Sequence, residues 1–214
     1  MNRIFYIGDS TVQENKFDTY PQTGMAQTLG LYLNPDIRVE PRGKNGRSTK
    51  SFLDEGLFAP VERDMGPGDY LLIQFGHNDE KEDPLRHTDP FGSFQENLLY
   101  FIRQARRAGA MPMLITPIAR RRFDDAGNFL PGSHGAYPEA IRRLGAREGV
   151  PVADLTAATE ALLETLGEEG SRELFLWPKD NTHLTYAGAV KMAGLLRDAM
   201  ASFGPPWETL LYIP

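Results

Sequence analysis

Short apolar runs alternate with amphipathic stretches along the whole chain, and this alternation limits the possible folds more than any other feature. Ile4-Phe5-Tyr6-Ile7 is a compact run that stops at Gly8. Tyr70 to Phe75 is a second, stopped by Gly76, and Met113 to Thr116 a third, stopped by Pro117. Runs this short, bounded by glycine or proline, read as buried strands. Asp36 to Glu40 alternates and suits a strand nearer an edge. Val150 to Asp154 contains Pro151, which favours an edge position. Helical patterns lie between the strands. The clearest covers residues 94–108, where Phe94, Leu98, Phe101, Ile102 and Ala105 recur at helical spacing. Ser93 with Glu96 reads as its capping box and Gly109 as its stop. Further helices are expected near 22–33, 48–65, 137–148, 156–168 and 185–202. Strands that alternate with helices imply a parallel sheet covered on both faces. The expected fold is therefore α/β, a three-layer α/β/α arrangement around a five-stranded parallel sheet.

At 214 residues the chain is expected to form one domain, residues 1–214, with a substantial core. Two segments break the rhythm. Residues 117–136 form a long connection rich in Arg, Pro and Gly, and loops of that length are often functional. Residues 204–214 are too apolar for a free tail, and are expected to pack on this domain or on a second subunit of a homodimer. The net charge of −6 offers no basic face for nucleic acid. With no cysteine there can be no disulfide, Cys-zinc site or thiol nucleophile. No apolar stretch approaches the roughly 20 residues of a membrane span. The start of the chain lacks a signal-peptide pattern, so the expected location is cytoplasmic, with no membrane partner.

Four blocks carry the chemistry: Gly8-Asp9-Ser10-Thr11, Gly46-Arg47-Ser48, Gly76-His77-Asn78-Asp79 and Asp180-Asn181-Thr182-His183. In open α/β sheets ligands sit outside the carboxyl ends of the strands. Ser10 follows the first strand and Asn78 the third, so both belong to that edge. A serine hydroxyl needs a base to attack a carbonyl. Asp180 and His183 stand three apart at the start of a helix, so both side chains can point to one side. The aspartate can then fix the imidazole tautomer and stabilise the imidazolium. Acyl transfer also needs donors for the developing oxyanion. Asn78 has a side-chain amide, and Gly46 has an N–H that no side chain shields. Read singly, each block is an ordinary turn, cap or surface group.

Together, in this order and spacing, the blocks resemble the GDSL/SGNH hydrolases. Thr116-Pro117-Ile118-Ala119-Arg120-Arg121 and His134-Gly135-Ala136-Tyr137-Pro138 resemble the rhamnogalacturonan-acetylesterase-like branch. The resemblance spans most of the chain and implies a flavodoxin-like SGNH hydrolase fold. It implies Ser10, Asp180 and His183 as catalytic residues, with the Ser10 N–H, the Gly46 N–H and the Asn78 side chain as oxyanion hole. His77 is expected to hydrogen-bond the loop that presents Asn78, Asp79 to brace it, and Asp9 to stabilise its own turn.

By position, Arg120 and Arg121, with Arg122 beside them, can meet uronic-acid carboxylates. His134 and Tyr137 are expected to line the cleft, and Trp177 to stack on a sugar ring. The expected activity is removal of O-acetyl groups from plant cell-wall oligosaccharides, pectin (rhamnogalacturonan) derived, without metal or other cofactor.

Three alternatives stand beside this reading. One is another esterase or thioesterase acting on acetylxylan or short acyl groups. Another is a non-catalytic carbohydrate-binding protein on the same scaffold. The third, a metallophosphoesterase suggested by Gly8-Asp9 and Gly76-His77-Asn78-Asp79, lacks histidines, since the chain has only four.

Overall fold

A computed structural model describes residues 2–212. Five strands form one all-parallel sheet: β1 (Arg3–Gly8), β2 (Arg38–Pro41), β3 (Tyr70–Gln74), β4 (Met111–Ile115) and β5 (Val152–Ala153), in the order β2-β1-β3-β4-β5. The two strands expected at edges, β2 and β5, are the edges. The central strands are buried on both sides, as parallel strands between helical layers must be.

The period of two along each strand divides the core. Ile4, Tyr6, Tyr70, Leu72, Met113 and Ile115 face one layer, together with α1 (Met25–Thr28), α6 (Leu155–Gly170) and α7 (Tyr186–Ser202). Phe5, Ile7, Leu71, Ile73 and Leu114 face the other, together with α2 (Thr49–Asp54), α3 (Ala59–Asp64), α4 (Ser93–Arg107) and α5 (Tyr137–Glu148). Phe52, Phe75 and Phe101 pack as an aromatic cluster in this second layer, with centroids 5.3–6.2 Å apart.

Three local expectations are corrected. The helix expected over 48–65 is two helices, α2 and α3. Gly56 between them adopts φ +67°, a left-handed conformation that ends the first, and Pro60 opens the second. The helix expected over 22–33 shrinks to α1 and a 3-10 turn, Leu29–Tyr32. Ser93 is the first residue of α4 rather than its cap. Its Oγ accepts the Asp89 N–H at 3.0 Å, so the Ser93/Glu96 capping box does not form, although Gly109 (φ +75°) does end the helix.

The apolar tail packs on its own chain. Trp207 lies edge-on to Tyr70 with centroids 5.1 Å apart, and Leu210 and Leu211 are buried beside Leu33. The argument for a second subunit that rested on this tail therefore falls away. Residues 213 and 214 lie outside the described residues. Among the described residues no helix is long and apolar enough to cross a membrane.

The chain leaves β1 toward β2 and returns to β3 on the other side of β1. This reversal opens a crevice at the carboxyl ends of β1 and β3, where ligands bind in sheets of this kind.

Candidate active site

That crevice is a cavity of about 650 Å³ lined mainly by polar residues. Ser10 enters from the turn after β1, whose shape is held by Asp9. The Asp9 carbonyl accepts the Val12 and Gln13 N–H groups, and its Oδ1 accepts the Thr11 N–H and hydroxyl at 2.9 and 2.8 Å. Opposite stands the loop before α7. His183 Nε2 lies 2.8 Å from Ser10 Oγ, and His183 Nδ1 lies 2.5 Å from Asp180 Oδ2. Asp180 Oδ1 also accepts the backbone N–H groups of Thr182 and His183 at 2.7 and 2.9 Å. Partial burial pushes the Asp180 carboxyl up. The hydrogen bonds from the His183 ring and the two N–H groups outweigh it and hold the group below the usual carboxylate range.

Gly46 and Asn78 line the same cavity. Gly46 has φ +73°, a conformation that disfavours a side chain although open space surrounds it. The nearby Gly43 is different. A Cβ there would lie 2.8 Å from Gln13 N and 3.0 Å from the Asp9 carbonyl, so this glycine lets the loop pack under the serine turn. One hydrogen of the Asn78 amide goes to the Arg47 carbonyl at 3.1 Å, while Arg86 approaches its Oδ1 at 3.4 Å. An amide NH₂ has two hydrogens, and the second remains for a ligand.

Asp79 braces the Asn78 loop, as expected. Its Oδ1 accepts the Thr49 N–H at 2.9 Å and the Thr49 and Thr88 hydroxyls at 2.5 and 3.1 Å. Burial raises its pKa, against those hydrogen bonds, to about 7. His77 does not brace the loop with its ring. Among the described residues neither ring nitrogen has a hydrogen-bond partner, and the ring packs edge-on against His134 at 4.4 Å. Burial, then the neighbouring His134, Arg120, His183 and Lys81 charges, hold His77 well below the ordinary histidine value.

The residues assigned to substrate separate into two groups. Arg120 and Trp177 line the cavity. Arg120 donates to Thr182 Oγ1 at 2.7 Å and pairs with Glu80, so it ties the Asp180/His183 loop to the Asn78 loop. Trp177 is half-exposed, with the Arg121 guanidinium 4.5 Å from its ring centroid.

Arg121, His134 and Tyr137 do not line the cavity. Arg121 is buried, donating to Ser171 Oγ at 3.0 Å and to the Glu168 carbonyl, because its long side chain packs under Trp177 and Phe123. His134 sits behind the cavity wall. Its Nδ1 meets Glu80 Oε2 and its Nε2 the Ile118 carbonyl, both at 2.8 Å, so both ring nitrogens are engaged. Tyr137 is buried with its hydroxyl donating toward the Asp79 and Thr88 carbonyls at 2.8 and 2.5 Å, a strut for the Asn78 loop. Arg122 is exposed away from the cavity.

Sequence reasoning missed Gln22, Lys81 and Lys179 in the cavity wall, and Thr49 and Glu80 as supports. Glu80, Thr49 and Lys179 each adjoin one of the four blocks, at Asp79, Ser48 and Asp180, and adjacency was their one signal in the sequence. Gln22 and Lys81 are brought in by loops whose path the sequence does not specify. Among the described residues no group of three or more His, Asp or Glu side chains could hold a metal ion.

Residues 6–190 match the GDSL-like lipase/acylhydrolase family. The chain belongs to this family, which makes it a carboxylic ester hydrolase. Rhamnogalacturonan acetylesterase RhgT of Bacillus subtilis strain 168 is 38% identical over 216 residues, covering 95% of this chain and 91% of the relative. The probable rhamnogalacturonan acetylesterase YesY of the same organism is 37% identical over 209 residues, covering 96% and 95%. Among solved structures, protein YxiM of Bacillus subtilis superposes with a TM-score of 0.84 at 25% identity, over 96% of this chain and 58% of that longer one. The acetylxylan esterase Axe2 of Geobacillus stearothermophilus superposes with a TM-score of 0.67 at 16% identity, over 96% and 95%. The latter is a likeness of fold.

Proposed function

We propose that this chain is a carbohydrate O-acetylesterase with Ser10 as nucleophile, His183 as base and Asp180 as its orienter. The observation that carries this reading is the continuous relay from Ser10 Oγ through His183 to Asp180, at 2.8 and 2.5 Å, opening on a polar cavity. Ser10 attacks the acetyl carbonyl as His183 takes its proton. Asp180 holds the imidazole by its Nδ1–H and stabilises the imidazolium. The oxyanion is received by the N–H groups of Ser10 and Gly46 and by the free hydrogen of the Asn78 amide. His183 then protonates the departing sugar oxygen, and a water activated by the same histidine cleaves the acetyl-enzyme.

The substrate we assign is an acetylated oligosaccharide from plant cell walls, of the rhamnogalacturonan type named for the two relatives at 37–38% identity. The polar cavity wall supports a sugar over a long acyl chain.

The test is acetate release from acetylated rhamnogalacturonan and acetylated xylan oligosaccharides, by wild type and Ser10→Ala, with and without chelator. Serine-dependent, chelator-insensitive release from rhamnogalacturonan is expected. Release from xylan alone would move the assignment to xylan, and release from neither would overturn the carbohydrate reading.

A further inference from the structure

The cavity does not share the charge of the molecule. The chain carries −6 overall. Yet among the described residues the only carboxylate in the cavity wall is Asp180, and His183 engages it. Three cations line the same wall: Lys81, Arg120 and Lys179. Glu80 pairs with Arg120. Lys81 and Lys179 form no ion pair with any described residue, although both are exposed to the cavity.

Nearby arginines are all occupied: Arg47 by Glu55 at 2.7 Å, Arg86 by Asp83 at 2.8 Å, and Arg121 beneath Trp177. The carboxylate-reading role that the sequence suggests for the arginines is thus open, and two lysines stand where a ligand would be. They enter from different loops. Lys81 closes the turn that carries Asn78, its N–H on the Asn78 carbonyl at 3.2 Å. Lys179 directly precedes Asp180, its N–H on the Leu176 carbonyl at 3.1 Å.

We propose that Lys81 and Lys179 are specificity-determining residues that bind a carboxylate on the substrate's own glycan chain, so that uronic-acid-containing oligosaccharides are preferred over neutral ones. The proposal deepens the esterase reading and rests on it. Trp177, two residues before Lys179 on the same rim, supplies an aromatic face. A uronic acid matches that pairing, with an apolar ring face for the indole and a carboxylate for the ammonium. An ammonium group is a hydrated point charge with three donors, and it tolerates a range of carboxylate positions. Solvent screens it in an open cleft, so each lysine is expected to contribute about two- to fivefold. Unneutralised charge at the mouth of a cleft also raises the local concentration of an anionic ligand, and salt suppresses that effect.

The experiment compares wild type with Lys81→Gln, Lys179→Gln and the double variant on acetylated rhamnogalacturonan and xylan oligosaccharides. The ratio of kcat/KM on the acidic glycan to that on the neutral glycan should fall about tenfold in the double variant, through KM. The Lys81→Arg/Lys179→Arg double variant should keep the ratio, and raising the salt should shrink the difference. A ratio that does not change in the glutamine variants would overturn the proposal. Calorimetry decides the matter independently of turnover, with non-acetylated trigalacturonate titrated into Ser10→Ala. Binding that weakens when both lysines are also replaced by glutamine supports the proposal, and binding that persists overturns it. If wild type releases acetate from neither glycan, the carbohydrate reading fails, and the calorimetry still decides the role of the lysines.

Discussion

The two ends of the sheet are built to different rules. At the amino ends of β1 and β3, Asp69 is saturated. It accepts the Arg3 N–H at 3.1 Å, the Arg3 guanidinium at 3.2 and 2.6 Å, and the Gly66 N–H at 2.9 Å. At the carboxyl ends of the same two strands, Asp9 Oδ2, Asp79 Oδ2 and both His77 ring nitrogens are buried without a partner among the described residues. Buried polar groups left unpaired lower stability. The amino edge therefore holds the fold together, while the carboxyl edge gives up stability to arrange reactive groups in a shared cavity.

Substitutions should separate the two edges. Ser10→Ala should reduce acetate release by about 10³-fold or more, with the melting temperature preserved. A large fall in melting temperature would break the contrast. Asp180→Asn removes the charge that orients His183 while keeping its shape. It is expected to lower kcat by about 10³–10⁴-fold. Asn78→Ala should lower kcat by about 10²–10³-fold, and a loss below about threefold would remove Asn78 from the oxyanion hole.

At the other edge the pattern should invert. Asp69→Ala leaves several donors without an acceptor and is expected to cost about 2–3 kcal/mol in urea unfolding, while kcat per folded molecule is retained.

The smallest effect sharpens the comparison. Burial gives Asp79 a folded-state pKa of about 7, above the ordinary aspartate value of 3.8. Between about pH 4 and pH 7 the folded chain keeps this proton while the unfolded chain loses it. Asp79 therefore lowers stability progressively as pH rises through that window, with no further loss above it. Asp79→Asn keeps the Oδ1 acceptor and cannot titrate. Its melting temperature relative to wild type should rise from pH 4 to pH 7 and then level. A difference independent of pH would show that Asp79 is ionised throughout.

The fold was legible because its signals are local. Gly8, Gly76 and Pro117 end strands wherever they occur, and the strand-helix alternation points to a parallel sheet. Helix limits were less legible around Gly56 and Ser93, where the left-handed turn and the Asp89–Ser93 bond are choices of the folded chain. At the site, Ser10, Gly46, Asn78, Asp180 and His183 were legible as four turn blocks, and the structure gathers them on one cavity. The direction of a side chain within a loop was not. Arg120 and Arg121 are adjacent and chemically identical, yet one reaches the cavity and the other lies under Trp177. His134 and Tyr137 face acceptors that come from distant parts of the chain. Lys81 and Lys179 look like solvated surface charges until the fold shows which carboxylates are already taken.

Ser10 and His183 are 173 residues apart in sequence. His183 stands at the entry to α7, so the Ser10–His183 contact needs the two ends of that long loop to meet. Until α7 docks, Ser10 has no partner in the proposed relay, and the chain is expected to be inert toward esters. In refolding, the return of hydrolysis should therefore report closure of one of the longest loops among the described residues, a step that loop entropy makes late.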